Sequence, residues 1–152
     1  MKPLIVLIST FVISIFIIKL LTQKYDFLSS ARFAMCAMLC FTAIGHFAFT
    51  KGMTMMMPPI IPLKNELVLL TGILEILLGI GLLIPSLRIY SAWILIVFFI
   101  FLLPANIYAA MKHVDFQRST FDGNGLSYLL FRIPLQVFFM LWAYISSLKI
   151  YI

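Results

Sequence analysis

Charged residues are scarce in this sequence. Only 11% of its 152 residues are Asp, Glu, Lys or Arg, whereas 64% are hydrophobic and the mean hydropathy is +1.15. A soluble domain of this length could not bury so much apolar surface, so lipid must cover much of it. The composition therefore excludes an ordinary soluble globular domain and predicts a single membrane domain.

The sequence also lacks any block of basic residues, although its net charge is +6. The Lys and Arg residues are scattered over predicted loops and helix ends, which argues against a nucleic-acid partner. Basic residues beside apolar spans more often face anionic lipid headgroups. Membrane lipids are therefore the first expected partners.

Cysteine is rare, and the two cysteines, Cys36 and Cys40, lie four residues apart on one predicted helix face. A redox thiol pair facing a quinone or a partner is one interpretation. Packing as small hydrophobic residues is favoured, because a disulfide between residues four apart on a regular helix is geometrically awkward. The sequence has no CxxC motif, flavin fingerprint or haem-ligand pair, so electrons for any redox reaction would come from a partner protein.

Five apolar segments dominate the rest of the chain. Each is close to the ~20 residues that a helix needs to cross a bilayer, and lipid leaves no partner for unpaired backbone groups. The fold class is therefore all-α, with Ser127 as the expected N-cap of the last helix. The predicted membrane helices are residues 3–21, 31–49, 65–84, 89–111 and 127–148.

We divide the chain into residues 1–30, an N-terminal transmembrane helix with a short loop, residues 31–148, a four-helix membrane domain, and residues 149–152, a short tail. Residues 1–30 could instead be a signal peptide, although the apolar run is long for one. Lys24 and Arg88 lie in the shortest loops and are assigned to the cytoplasm. Residues 51–64 and 112–125 then face outward, in a multi-pass protein.

Polar residues inside the predicted helices converge on one depth. At 1.5 Å per residue, Glu75 lies roughly 15 Å from the outer end of its helix, and Arg132 roughly 8 Å from the outer end of the last one. Gln136, Asn106 and His46 also fall in the outer half of the bilayer. Charged groups in membrane helices usually face the bundle interior and pair there, so Arg132 is the expected partner of Glu75. The alternative to a binding site is a structural polar cluster that fixes helix register.

Three local features refine this candidate site. Gly72 and Gly79 share the face of Glu75 and would let another helix approach closely. Pro104 frees a backbone carbonyl, with Asn106 and Tyr108 just beyond the expected kink.

The outer segment "MTMMMPPIIP" is interpreted as a lid or gating loop rather than a copper site, and no metal site is predicted. Its expected gating residues are Met56, Met57, Pro58 and Pro59.

The motifs "GHF", "MMPPIIP", "LEILLGIGLLIP", "PANIY" and "RIPLQ", in this order across residues 31–148, resemble the DoxX-like family of small bacterial integral membrane proteins. The resemblance implies a four-helix bundle in the bacterial inner membrane, to which residues 1–30 add a helix. The residues that recur in that family correspond here to His46, Pro58, Pro59, Glu75, Asn106, Arg132 and Gln136.

Three functions follow as hypotheses. The favoured one, largely because of the resemblance, is a subunit of a redox-associated complex that binds a quinone or another amphipathic molecule through His46, Glu75, Asn106, Tyr108, Arg132 and Gln136. The second is a non-enzymatic assembly factor that binds a client membrane protein. The third is an intramembrane acid–base enzyme or lipid-binding protein, with His46 and Glu75 as the candidate catalytic groups. Homo-oligomerisation is left open.

Overall fold

The computed structural model describes residues 2–149, and the tail residues 150–152 lie outside this part. Within it the protein is all-helical apart from loops and a single isolated β-bridge between Asp115 and Thr120. The helices are α1 Lys2–Thr22, α2 Phe27–Ala48, α3 Thr50–Thr54, α4 Lys64–Leu83, α5 Arg88–Met111 and α6 Leu129–Ser147, with a 3-10 helix at Leu126–Tyr128. Five of these segments are long and apolar enough to cross a membrane, as a multi-pass membrane protein requires.

The predicted helices agree with the structure except where α2 and α6 begin. Helix α2 begins at Phe27, four residues before the predicted start, because Asp26 caps it: its carboxylate accepts hydrogen bonds from the Ser29 amide at 2.9 Å and the Ser29 hydroxyl at 2.6 Å. The predicted N-cap role of Ser127 is wrong. Ser127 lies inside the 3-10 helix, and α6 begins at Leu129 without a side-chain cap.

Helix α2 is the centre of the bundle. It packs against α1, α4 and α6, while α5 packs against α4 and α6. The apolar core lies between these helices, and large apolar side chains on the outer surfaces of α1, α4 and α5 are exposed, as lipid-facing residues are. The fully enclosed core side chains include Leu7, Met35, Leu39, Leu82 and Leu95.

Glycines on α4 bring α2 close. A Cβ atom at Gly72 would lie 2.8 Å from the Cβ of His46, and one at Gly79 would lie 3.4 Å from the Cα of Cys36. The predicted close approach at these two glycines is therefore confirmed, and the approaching helix is α2. The same contact places Glu75, between the two glycines, against α2.

Two connecting segments meet at the end of the bundle where α2 ends and α4 and α6 begin. The first is α3 with the methionine-rich stretch after it, and the second is the loop between α5 and α6. Gly52 of α3 lies directly under the Phe116 carbonyl, and the rings of Phe49 and Phe116 pack edge to face with centroids 6.1 Å apart. We call these two segments, residues 50–57 and 112–125, the cap.

Candidate functional site in an intramembrane cavity

A cavity of about 900 Å³ lies between the helices under the cap. Its volume is in the range of small-molecule sites in proteins. Most of the predicted site residues line it, although they come from four different helices and the cap. Those that the structure brings together here are His46, Met56, Met57, Glu75, Asn106, Arg132 and Gln136.

Three predicted site residues are not part of the lining. Tyr108 lies two residues after Asn106, which on a helix is about 200° around the axis, so the two side chains cannot face the same space. Asn106 is buried and lines the cavity, whereas Tyr108 is half-buried elsewhere on α5. Pro58 and Pro59 follow Met57 at the edge of the cap and turn the chain toward α4.

His46 is the closest charged or titratable neighbour of Glu75. The His46 Nε2 atom lies 3.6 Å from Glu75 Oε1, and the two side chains are 12% and 4% exposed. The other carboxyl oxygen, Oε2, lies 2.9 Å from the Thr42 hydroxyl, which can donate to it. Both carboxyl oxygens therefore have a polar neighbour on α2, as a carboxyl group inside a membrane requires.

The second ring nitrogen of His46 is also engaged. Nδ1 lies 3.0 Å from the Val68 carbonyl oxygen and 3.1 Å from the Thr71 hydroxyl. A carbonyl can only accept, so the contact with Val68 favours a proton on Nδ1. Nε2, which can accept a proton, then faces the Glu75 carboxyl group across 3.6 Å, just beyond hydrogen-bond distance.

The predicted ion pair between Glu75 and Arg132 is not formed. Among the described residues, Arg132 has no carboxylate within 4 Å, and its nearest specific contact is the ring of Tyr128, 5.8 Å from its Cζ atom. The prediction matched the two residues by depth alone. Depth does not determine which helices are neighbours, and the helix packed tightly on the Glu75 face of α4 is α2.

Asn106 and Gln136 form a separate polar link between α5 and α6. The Asn106 amide donates to Gln136 Oε1 at 3.1 Å, and the Gln136 amide donates to the backbone carbonyl of Phe99. Phe99 immediately precedes Ile100, whose carbonyl Pro104 leaves without its helical donor. Both side chains are buried, at 9% and 6% exposure, so this link holds the two helices together at the cavity wall.

Thr42 and Thr71 belong to the site but were not predicted. The sequence carries a signal for both, because Thr42 lies four residues before His46 and Thr71 four residues before Glu75. That spacing places each threonine on the same helix face as the titratable residue. Hydroxyl groups are common in membrane helices, and the spacing alone would not have distinguished these two from ordinary packing residues.

The cap adds charged residues at the cavity mouth. Asp115 accepts hydrogen bonds from the amides of Gln117 and Arg118 at 3.0 and 3.2 Å, and it lies 3.8 Å from the Arg118 guanidinium. The Thr120 hydroxyl donates to Asp122 and is the main reason that the pKa of this exposed carboxyl group lies below its usual value. Both cap carboxylates are therefore bound within the cap itself.

The cysteines lie away from this site. Cys36 and Cys40 are free thiols, and neither lines the cavity. Cys36 packs against Gly79 at the contact between α2 and α4, which agrees with the interpretation of a small packing residue. Within residues 2–149, no three His, Cys, Asp or Glu side chains cluster closely enough to hold a metal ion.

One family model matches residues 35–147, about three quarters of the chain. The chain belongs to the family described as Domain of unknown function (DUF8561). The DUF8561 match begins within α2 and ends with α6, so it contains every predicted residue of the cavity and leaves out α1. No curated protein and no solved structure matches the chain.

Proposed function

We propose that this protein is a multi-pass protein of the bacterial inner membrane that binds a quinone or another amphipathic molecule in the cavity, as part of a redox-associated complex. One observation carries the proposal: a single cavity of about 900 Å³ is lined by both polar and apolar side chains. The polar ones include His46, Glu75 and Arg132. The apolar ones include Phe41, Phe99, Leu102, Leu135 and Phe139.

Polar and apolar lining side chains suit the two parts of a quinone. A quinone carbonyl accepts hydrogen bonds, and the Arg132 guanidinium offers up to five donors in a fixed plane. The isoprenoid tail is apolar and would lie along the phenylalanine and leucine side chains of α5 and α6. Reduction of a quinone to a quinol takes up two electrons and two protons: the His46 and Glu75 pair would relay protons from water to the quinone oxygens, and the electrons would come from a partner protein. The resemblance to the DoxX-like family supports this choice among amphiphiles.

Filling the cavity tests the proposal. Ala105 lines the cavity on α5, and Ala105→Phe would occupy part of the space with a ring. Ala48, at the end of α2, is exposed and does not line the cavity, so Ala48→Phe is the matched control. We expect purified protein in detergent to bind a short-chain ubiquinone in native mass spectrometry, with binding lost in Ala105→Phe and kept in Ala48→Phe. Absence of quinone binding by the unmodified protein would refute the quinone proposal.

A second candidate function, proton transfer to a bound lipid or isoprenoid, is favoured by the contact between His46 and Glu75. Their facing atoms lie 3.6 Å apart and both side chains line the cavity, which places two titratable groups side by side, as a general acid–base pair requires. Glu75→Gln keeps the size of the side chain and removes its ability to exchange a proton. Loss of turnover of a candidate substrate in a normally folded Glu75→Gln protein would support this chemistry, whereas loss of folding would indicate a structural role.

A further inference from the structure

We infer that, among amphiphiles, the cavity prefers those with an anionic oxygen headgroup, a carboxylate or a phosphate, over neutral ones such as a quinone, and that Arg132 binds this headgroup. The inference rests on the proposed binding of an amphiphile and adds the charge of its head. Its starting observation is that Arg132 lines the cavity half-buried, without a carboxylate within 4 Å in the described part of the chain. The ring of Tyr128, 5.8 Å away, is a weak partner for such a cation.

The acids that line the same cavity are already engaged. Glu75 is bound by Thr42 and faces His46. Asp115 accepts from two cap amides and lies beside Arg118, and Asp122 accepts from Thr120. Nearby, the Asn106 amide donates to Gln136 Oε1 and the Gln136 amide to the Phe99 carbonyl, and neither of these neutral side chains carries a charge that could balance Arg132. Lys2 also lines the cavity, but it is exposed, so Arg132 is the partly buried cation of this lining that lacks an opposite charge within the described residues.

A charge in this position favours an anionic ligand over a neutral one. Removing a cation from water is unfavourable unless an opposite charge is close. A neutral carbonyl would satisfy one or two N–H groups and leave the charge unbalanced. A carboxylate or phosphate would balance the charge and match the planar fork of the guanidinium with two parallel hydrogen bonds.

Two further features agree with this ligand class. Arg132 lies in the first turns of α6, where the aligned amide dipoles add partial positive charge. The apolar side chains Leu102, Leu135 and Phe139 line the same cavity, so a hydrocarbon tail has a surface next to the charged head. Inorganic phosphate would use the arginine alone and leave this apolar surface uncovered.

Matched lipid pairs test the inference by native mass spectrometry or calorimetric titration in detergent. Oleoyl lysophosphatidate is compared with monoolein, and oleate with oleyl alcohol, so that each pair shares its chain and differs in head charge. Inorganic phosphate alone and a short-chain ubiquinone are the other two ligands. The variants are Arg132→Gln, Arg132→Lys and Arg88→Gln, the last removing an arginine at the opposite end of the bundle that donates to the Leu82 carbonyl.

We expect each anionic lipid to bind at least about tenfold more tightly than its neutral partner, as charge-assisted hydrogen bonds predict. Arg132→Gln should abolish this preference, Arg132→Lys should weaken it and Arg88→Gln should keep it. Equal binding of charged and neutral partners would overturn the inference while leaving amphiphile binding intact. If inorganic phosphate binds as tightly as lysophosphatidate, the apolar tail contributes nothing and the ligand is not an amphiphile. No binding of any lipid or quinone would overturn the proposed function together with the inference.

Discussion

Gly72 of α4 lies directly against His46 of α2, and a Cβ atom at residue 72 would lie 2.8 Å from the Cβ of His46. The Cβ of His46 is fixed by its backbone, so it cannot turn aside as the end of a long side chain can. The absence of a side chain at residue 72 thus allows α2 to approach, and the approach places the His46 ring beside Glu75.

Substitution of Gly72 should therefore destabilise the protein more than substitution of Gly79 on the same face. Gly72→Ala forces α2 and α4 apart, and overpacking of this kind costs about 1–3 kcal/mol. Alanine favours the helix by about 1 kcal/mol at either position. At Gly79 the new Cβ would lie 3.4 Å from the Cα of Cys36, so there is much less overpacking to offset that gain. Thermal unfolding in detergent should show a lower midpoint for Gly72→Ala and an unchanged or higher one for Gly79→Ala. Equal midpoints would contradict the close contact at His46.

This contact also shows what the sequence could and could not predict. The helices, the glycine face and the buried position of Glu75 follow from hydropathy and from the 3.6-residue period, which are local properties. The partner of Glu75 does not follow, because residues at equal depth can stand on opposite sides of a bundle. Arg132 matched Glu75 in depth, whereas His46 lies on the helix that actually packs against it. Thr42 was missed for the same reason, since its role depends on that packing.

Asn106 and Gln136 should contribute to stability together and not independently. Gln136→Leu removes the donor to the Phe99 carbonyl and the acceptor for Asn106, which leaves buried polar groups unpaired at about 1–3 kcal/mol. Once Gln136 is gone, Asn106→Leu should cost little more, because its hydrogen bond is already lost. Unfolding free energies from detergent titration of the two single variants and the double variant measure this coupling. Additive losses would show that the two side chains act independently.

Replacing Arg32 with methionine should lower the stability of the protein, whereas replacing Arg132 should not. Arg32 is buried at 7% exposure and donates to the Ser146 carbonyl at 3.1 Å and to the Ser29 hydroxyl at 2.8 Å, so it ties α2 to α6. Arg32→Met should lower stability by about 1.5–3 kcal/mol, the range for hydrogen bonds to a charged group. Arg132→Met removes a cation without a carboxylate partner and should leave the thermal midpoint unchanged or raise it in ligand-free protein. A large loss of stability in Arg132→Met would assign this arginine a structural role.

Asp26, the N-cap residue of α2, predicts a pH dependence of stability. The Ser29 hydroxyl and then its amide stabilise the Asp26 carboxylate, and these hydrogen bonds lower the pKa of Asp26 below its usual value. The unfolded chain therefore binds the proton more readily, so this contribution is complete above the ordinary Asp pKa of about 3.9 and is lost as the pH falls through the lower folded value. At neutral pH, Asp26→Ala should cost about 1 kcal/mol.

Asp26→Asn is the control for this prediction, since asparagine caps a helix without titrating. Stability of the unmodified protein should fall between neutral and acidic pH by more than that of Asp26→Asn. If stability falls equally with pH in the two proteins, then Asp26 does not titrate in this range.

The cap over the cavity depends on the absence of a side chain at residue 52. A Cβ atom at Gly52 would lie 1.7 Å from the Phe116 carbonyl oxygen, so Gly52→Ala must push the loop of residues 112–125 away from α3. Gly45 is the matched control, because its new Cβ would lie an ordinary 3.5 Å from the end of the Met53 side chain. We expect Gly52→Ala to lower the thermal midpoint by several degrees, as overpacking in a small domain does. Gly45→Ala should leave it unchanged or raise it, because alanine favours a helix over glycine.

Opening of the cap should also let water-soluble reagents enter the cavity faster. Ala109 lines the cavity on α5 and is buried, so a cysteine introduced by Ala109→Cys reports on entry of a water-soluble thiol reagent. In a background without Cys36 and Cys40, labelling at residue 109 should be faster with Gly52→Ala than with Gly45→Ala. Faster labelling would identify the cap as the barrier between the cavity and water. Equal labelling rates would mean that reagents enter between the helices, from the side that faces lipid.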